Sequence, residues 1–108
     1  MEQGTTKNKK CVSEDELKIV IDIIQKHAPD CRVLLFGSRC FGTSKKYSDL
    51  DLAFAGKAKL GLERCIQLKD AFAESDLPYR VDVMDYYALS PEFRGIIDSG
   101  HEVIYEPM

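Results

Sequence analysis

Three aspartates in this sequence have a spacing that could bring several carboxylates to one place. Asp49 and Asp51 are separated by one residue in a segment where acidic and apolar residues alternate, and Asp82 stands between two valines. Side chains at positions i and i+2 of a β-strand point to the same face, so Asp49 and Asp51 would share a face while the intervening leucines enter the core. If the strand around Asp82 is a neighbour, all three carboxylates converge on that face.

A cluster of three carboxylates is costly unless a cation binds to it, because like charges raise one another's pKa values. Mg²⁺ takes oxygen ligands and commonly combines a few carboxylates with substrate phosphates, and Mn²⁺ accepts a similar ligand set. Three carboxylates suit a two-metal site for phosphoryl transfer. Asp49, Asp51 and Asp82 are therefore the predicted metal ligands and catalytic residues, although each one alone would also fit a solvated strand face.

A second group of residues could bind the phosphates of a substrate. Gly37 and Ser38 follow a buried apolar run and precede a segment that could form a short helix. Glycine lets the backbone approach a phosphate closely, and a helix N-terminus offers free N–H groups and the positive end of a dipole. Ser38 adds a hydroxyl, and Arg39, Lys45 and Lys46 lie close by in the sequence. A simple turn between two elements is the alternative reading of Gly-Ser.

The hydrophobic pattern predicts helices and strands in strict alternation, which indicates an α/β or α+β domain. The first predicted helix is capped by Ser13 and Glu16 and ended by Pro29, and a strand from Arg32 to Phe36 follows it. A short helix from Ser38 to Gly42 and a loop from Thr43 to Ser48 then lead to a half-buried strand from Asp49 to Phe54. The next predicted helix has Leu62, Cys65, Ile66, Phe72 and Ala73 on its apolar face, and a strand from Tyr79 to Asp85 follows it. The last predicted helix begins at Ser90-Pro91-Glu92, ends at Gly100 and has Phe93, Ile96 and Ile97 on its apolar face. A strand from Val103 to Tyr105 is predicted after it.

Length and composition limit the classes of protein that fit. The chain has 108 residues, which predicts one domain over residues 13–108 behind a polar, disordered tail over 1–12. A net charge of -3 without a basic run argues against direct binding of nucleic acid. The four cysteines form no C-x-x-C pair, so a zinc site is not expected. The sequence has no apolar stretch suited to a signal peptide or membrane span, so we expect a cytoplasmic protein with reduced thiols.

The segment from Leu35 to Leu52, LFGSRCFGTSKKYSDLDL, resembles the signature of the DNA polymerase β-like nucleotidyltransferases. That signature is Gly-Ser, a spacer of about ten residues and then Asp-x-Asp, and here ten residues separate Ser38 from Asp49. The VDV segment around Asp82 resembles the strand that holds the third carboxylate of the family. The small size and the Ser-Pro-Glu-Phe helix start are similar to the minimal nucleotidyltransferases, often called MNT antitoxins.

The resemblance implies a role for each of these residues. Gly37, Ser38 and Arg39 would bind the triphosphate. Asp49 and Asp51 would ligate the metals, and Asp82 would complete the catalytic metal site and help to deprotonate the acceptor hydroxyl. The sequence departs from the pattern at Phe41, where many relatives have a second arginine, so phosphate contacts would fall to Arg39 or the nearby lysines.

The same resemblance implies a fold, a reaction and a partner. The fold would be the nucleotidyltransferase fold, a small mixed β-sheet with helices packed on one face. The activity would be Mg²⁺- or Mn²⁺-dependent transfer of NMP from a nucleoside triphosphate, with ATP expected, to a hydroxyl of a partner protein. The partner would be a small helical HEPN-type protein, with this chain as the antitoxin of a toxin–antitoxin pair. The alternative is a non-catalytic nucleotide-binding module that neutralises or supports the same partner.

Several other polar residues are assigned structural roles. His27 and His101 lie far from the aspartates in sequence and are predicted to cap helix ends or lie at the surface. Tyr86 and Tyr87 are predicted to pack rather than to stack on a base. Asp85 is three residues from Asp82, which places it on the opposite strand face and outside the predicted site.

Overall fold

The computed structural model of the protein describes residues 12–37 and 49–107. Its elements are α1 (Glu14–His27), β1 (Arg32–Phe36), β2 (Leu50–Ala55), α2 (Leu62–Ala73), β3 (Val81–Asp85), a 3₁₀ turn (Tyr86–Ala88), α3 (Pro91–Ser99) and β4 (Glu102–Tyr105). The predicted helices and strands that fall on these residues are all present, with ends shifted by one or two residues. The 3₁₀ turn was not predicted.

Polar residues at the predicted positions cap two of the helices. The Ser13 hydroxyl accepts a hydrogen bond from the Glu16 backbone N–H at 3.1 Å, and the Glu16 side chain accepts one from the Ser13 N–H at 3.2 Å. The Ser90 hydroxyl likewise accepts from the Phe93 N–H at 3.2 Å, with Pro91 at the first helical position. Each such cap typically stabilises a helix by about 1 kcal/mol, so local sequence fixes where these helices begin.

The four strands form one mixed sheet in the order β3-β2-β1-β4. β1 runs antiparallel to β2 and to β4, whereas β2 and β3 run parallel. Parallel neighbours need a crossover connection, which α2 provides here. As a result, the C-terminal end of β1 and the N-terminal ends of β2 and β3 lie together at one end of the sheet.

Apolar side chains cover both faces of this sheet. The larger cluster packs one sheet face against Val20 and Ile24 of α1 and Leu68 and Phe72 of α2. The smaller cluster lies on the opposite face and consists of Leu34, Phe36, Ala53 and Ile97. The expectation of helices on one face therefore holds for α1 and α2, while α3 covers part of the other face. For this reason the second half of β2 is buried on both faces rather than half-buried.

The predicted apolar faces of two helices were partly wrong. Leu62 and Ile66 of α2 are 78% and 48% exposed, and Ile96 of α3 is 65% exposed. Phe72 of the predicted face is buried, and Leu68, which was not predicted, is buried four residues before it on the same side of the helix. More apolar residues were available than one helix face can bury, and the packing against the sheet decides which of them are used.

Several predictions lie outside the described residues. They are the tail up to residue 11, the short helix over 38–42, the loop over 43–48, and the side chains of Cys11, Ser38, Arg39, Cys40, Phe41, Lys45 and Lys46. Cys31, which is buried, and the half-buried Cys65 are both free thiols. Across residues 12–37 and 49–107, no helix has the length and apolar character needed to cross a membrane.

Candidate functional site

The parallel pair β2–β3 brings two of the predicted site aspartates together. Asp51 and Asp82 are direct partners in the register of these strands, flanked by the Leu50–Val81 and Leu52–Val83 pairs. Those flanking side chains are buried, so they fix both strands while the aspartates point to the other face. The strand around Asp82 is thus a neighbour of the strand that carries Asp51, which is the condition for the carboxylates to converge.

The paired carboxylates make ionisation of Asp51 costly. Burial is the largest cause, and the charge of Asp82, a hydrogen bond with the Asp82 carboxyl and the charge of Asp49 add to it. Together they raise the pKa of Asp51 from 3.8 to about 6. A carboxyl group with a pKa near 6 can hold a proton that it shares with the neighbouring Asp82 carboxyl group, and a bound cation would replace that proton.

Asp49 reaches the site from just before β2 and faces an arginine. The Arg80 Nη2 atom lies 3.5 Å from Asp49 Oδ2 and 3.6 Å from Asp82 Oδ1. One guanidinium nitrogen therefore stands between carboxylates from two segments of the chain. Across the described parts of the chain, no three His, Cys, Asp or Glu side chains are grouped so that they could hold a metal ion. The structure thus brings Asp51 and Asp82 together and places Asp49 beside Arg80.

Gly37 lies against the Asp51 carboxylate. Its φ of 81° is in the left-handed region, which favours glycine, and it directly follows Phe36, the register partner of Asp51. A Cβ atom at this position would overlap Asp51 Oδ2. Glycine is therefore required here for backbone conformation and for space. The first residue of the predicted phosphate-binding loop is in contact with a predicted metal ligand.

The donors at this end of the sheet fit a hard divalent cation. Carboxylate oxygens are the ligands that Mg²⁺ and Mn²⁺ take in proteins. Burial and the neighbouring carboxylates raise the pKa of Asp51, and a bound cation would oppose both effects. The roles predicted for Ser38 and Arg39 concern residues outside the described ranges.

The residues assigned structural roles from sequence lie away from this site. Asp85 Oδ2 accepts a hydrogen bond from the Leu60 N–H at 2.7 Å, where the chain enters α2. The His101 ring contacts the Ile97 carbonyl oxygen at 2.9 Å, near the end of α3. The Tyr86 hydroxyl donates to Asp98 at 2.7 Å, and its ring packs edge-on against Tyr87. An open cavity of about 460 Å³ lies at the opposite end of the sheet from the aspartates.

Arg80 was missed by the reasoning from sequence. It precedes Asp82 by two positions, and an extended chain places such residues on the same side. The same argument that linked Asp49 to Asp51 would therefore have linked Arg80 to Asp82. Its contact with Asp49 depends on the pairing of β2 with β3, which spacing alone does not reveal.

The chain has relatives of known class. Residues 18–107 match the family model described as Polymerase beta, Nucleotidyltransferase. Over 95 residues the chain is 47% identical to the Haemophilus influenzae protein named "Probable protein adenylyltransferase MntA", a match that covers 88% of this chain and 83% of that relative.

Solved structures share the fold. A toxin–antitoxin crystal structure with AMP-PNP superposes with a TM-score of 0.73 at 22% identity, covering 85% of this chain and 74% of that chain. An MntA–HepT toxin–antitoxin structure superposes with a TM-score of 0.66 at 19% identity, covering 86% of this chain and 72% of that chain. These matches confirm the predicted nucleotidyltransferase fold. Since the family match also spans the strands of Asp51 and Asp82, the chain belongs to the polymerase β nucleotidyltransferase family.

Proposed function

We propose that this nucleotidyltransferase uses ATP and Mg²⁺, or Mn²⁺, to transfer AMP to a hydroxyl of a partner protein. The observation that carries the proposal is the pairing of Asp51 with Asp82 on adjacent parallel strands, with the Gly37 backbone directly beside Asp51. A divalent cation would relieve the repulsion between the two carboxylates, and the same cation would also bind the phosphates of a nucleoside triphosphate. The family supplies the reaction class, and the name of the Haemophilus influenzae relative suggests a protein acceptor.

The three aspartates have related roles in this proposal. Asp49, Asp51 and Asp82 would hold the metal, which when bound supplies positive charge opposite the phosphates. Asp82 is the proposed acceptor for the proton of the attacking hydroxyl. Asp51 is partly buried within β2, which is the largest cause of its raised pKa, and it would anchor the ion from the sheet side.

The loop that begins at Gly37 would bind the triphosphate. The left-handed backbone at Gly37 turns the chain at the end of β1, and the absence of a side chain leaves room beside Asp51. Ser38 and Arg39 follow directly, and from the resemblance to the family we propose that they contact the phosphates. This arrangement would place phosphate groups next to the carboxylates.

The proposed reaction is a single displacement at the α-phosphorus of ATP. The acceptor oxygen forms a bond to that phosphorus, and the bond to the bridging oxygen of the β-phosphate breaks. Pyrophosphate leaves with the bonding electron pair, and the acceptor proton passes to Asp82. Positioning and charge neutralisation dominate such reactions, so the chain needs no covalent nucleophile of its own.

The proposed partner is a small helical HEPN-type toxin, with this chain as its antitoxin in the cytoplasm. Support comes from the structural neighbours, which are toxin–antitoxin structures, one of them with AMP-PNP. The test is to incubate the chain with ATP, Mg²⁺ and the purified product of the neighbouring reading frame, and to measure the partner by mass spectrometry. We expect the partner to gain the mass of AMP with the wild type and not with Asp51→Asn.

Two outcomes would count against this proposal. If the wild type and Asp51→Asn both leave the partner unmodified yet both neutralise it, the chain acts as a binding module. If none of ATP, GTP, CTP and UTP raises the melting temperature in the presence of Mg²⁺, the nucleotide site itself is refuted.

A further inference from the structure

Arg80 is fixed beside the carboxylates by its backbone. Its carbonyl oxygen accepts a hydrogen bond from the Leu50 N–H at 2.8 Å. Leu50 stands between Asp49 and Asp51, so this bond anchors the Arg80 main chain at the start of β2. The side chain is 76% exposed and can therefore move while its base stays in place.

Within the described ranges, the contacts of Arg80 differ from those that Arg64 and Arg32 make with carboxylates. Arg64 Nη2 lies 2.6 Å from Asp30, and Arg32 Nε lies 3.0 Å from Glu106. Arg80 instead places one nitrogen at 3.5 Å and 3.6 Å from two different aspartates. Longer contacts between exposed charges are weaker and are easily exchanged for other ions. The Arg80 guanidinium thus occupies the space between two carboxylates without closing a tight ion pair with either.

We infer that Arg80 competes with the metal ion for the carboxylates of this site, and the inference rests on the proposed function. Its guanidinium serves as the counter-ion of Asp49 and Asp82 in the metal-free protein, and it has to leave before these carboxylates can ligate a divalent cation. The positive charge of the Arg80 guanidinium therefore lies beside Asp49 and Asp82 before a nucleotide arrives. The same charge opposes binding of a metal ion that comes without a triphosphate.

The sign of the effect separates this role from a structural one. If Arg80 only supported the fold, its removal would loosen the aspartates and weaken cation binding. As a competing counter-ion, its removal leaves the carboxylates more negative and strengthens cation binding. A single charge several ångströms away in a largely aqueous setting changes affinity by roughly three- to tenfold, and added salt reduces the difference.

The test uses Mn²⁺ alone as the probe. Free Mn²⁺ is measured by electron paramagnetic resonance while the nucleotide-free chain is titrated, for the wild type, Arg80→Ala, Arg80→Lys and Arg32→Ala. Arg32 is the matched control, because it is an exposed arginine paired with a carboxylate at the other end of the sheet. We expect Arg80→Ala to bind Mn²⁺ three- to tenfold more tightly than the wild type, Arg80→Lys to lie near the wild type, and Arg32→Ala to be unchanged.

The results distinguish this inference from the proposed function. If Arg80→Ala binds Mn²⁺ no more tightly than the wild type, while the wild type modifies its partner, the role of Arg80 is refuted and the function stands. If Arg80→Ala binds more tightly and Arg32→Ala does not, Arg80 is the counter-ion even where AMP transfer fails. If the wild type and all variants bind no Mn²⁺, Arg80 does not compete with a cation and its proposed role is refuted, while the proposed function is still decided by AMP transfer in the presence of ATP.

Discussion

The two ends of the sheet treat their acidic residues differently. Where β1 begins, Asp30 lies 2.6 Å from Arg64 and Glu106 lies 3.0 Å from Arg32. Where β2 and β3 begin, Asp51 and Asp82 face each other, and Arg80 makes contacts of 3.5 Å or more. Each of the first two carboxylates thus has a basic partner in the chain at short range, whereas the second pair stands mainly against itself.

This difference also appears in the pKa values. The hydrogen bond from Arg64 lowers the pKa of Asp30, whereas burial and the neighbouring carboxylates raise the pKa of Asp51. The negative charge of Asp30 therefore stabilises the folded chain, whereas the negative charge of Asp51 costs stability, as is typical of groups in sites that are completed by a ligand.

The largest expected effect is on catalysis at the second end. Asp51→Asn and Asp82→Asn should each lower the rate of AMP transfer by about a thousandfold or more, because each removes a charge that opposes the phosphates. The measurement is the initial rate of partner modification by mass spectrometry. Asp30→Asn is the control from the first end and should leave the rate unchanged. Comparable losses in Asp30→Asn and Asp51→Asn would erase the distinction between the two ends.

The next effect concerns the backbone beside Asp51. Gly37→Ala should lower the free energy of unfolding by about 2 kcal/mol, because alanine is strained at positive φ and its Cβ would displace the Asp51 carboxylate. Chemical denaturation measures the change, and transfer should fall as well. Gly95→Ala is the matched control, since a Cβ there meets nothing within 4 Å and lies in α3. The stability of that variant should be unchanged or slightly higher. If Gly95→Ala were destabilised as much as Gly37→Ala, the loss in Gly37→Ala could not be assigned to its positive φ and its contact with Asp51.

A smaller effect is expected in the pH dependence of stability without metal. Below about pH 4, Asp51 is protonated in both the folded and the unfolded chain and does not change the free energy of unfolding. Because its folded-state pKa is about 6, its ionisation lowers the free energy of unfolding progressively as the pH rises from about 4 to 6, and by the full amount above that. Asp51→Asn should therefore be more stable than the wild type by about 1–2 kcal/mol at pH 7.5 and equal to it near pH 4. Urea denaturation in chelator measures this. A gap that narrows as pH rises would contradict the assignment.

The smallest effect should occur at Asp30, with the opposite sign. Because its pKa is lowered in the folded chain, its contribution is present above about pH 4 and is lost as pH falls below that value. Asp30 is half exposed, so solvent screens the pair with Arg64 and the contribution is under about 1 kcal/mol. Asp30→Asn should be slightly less stable than the wild type at pH 7, and higher salt should reduce the loss. A stabilised Asp30→Asn would show that this pair is not favourable.

The sequence was informative where local chemistry decides the structure. Ser13 and Ser90 cap the helices that they were predicted to cap, and strand alternation placed Asp82 opposite the core. The α2 face was less predictable, because Leu62 and Ile66 are as apolar as the residues that are buried. Which residues are buried depends on how the helix lies on the sheet. Arg80 was not predicted as part of the site for a related reason, because its contact with Asp49 forms only when two segments that are distant in sequence pair.

The pairing of β2 with β3 has a kinetic consequence. Asp51 and Asp82 become neighbours only after the chain has closed a crossover that contains all of α2. Closing such a connection is slow, because entropy is lost before the strand contacts form. Here the closing step also pushes two negative charges together, which adds electrostatic work at the moment the strands meet. The metal-free chain should therefore refold faster as the pH is lowered towards 6, because protonation of Asp51 would remove part of this repulsion.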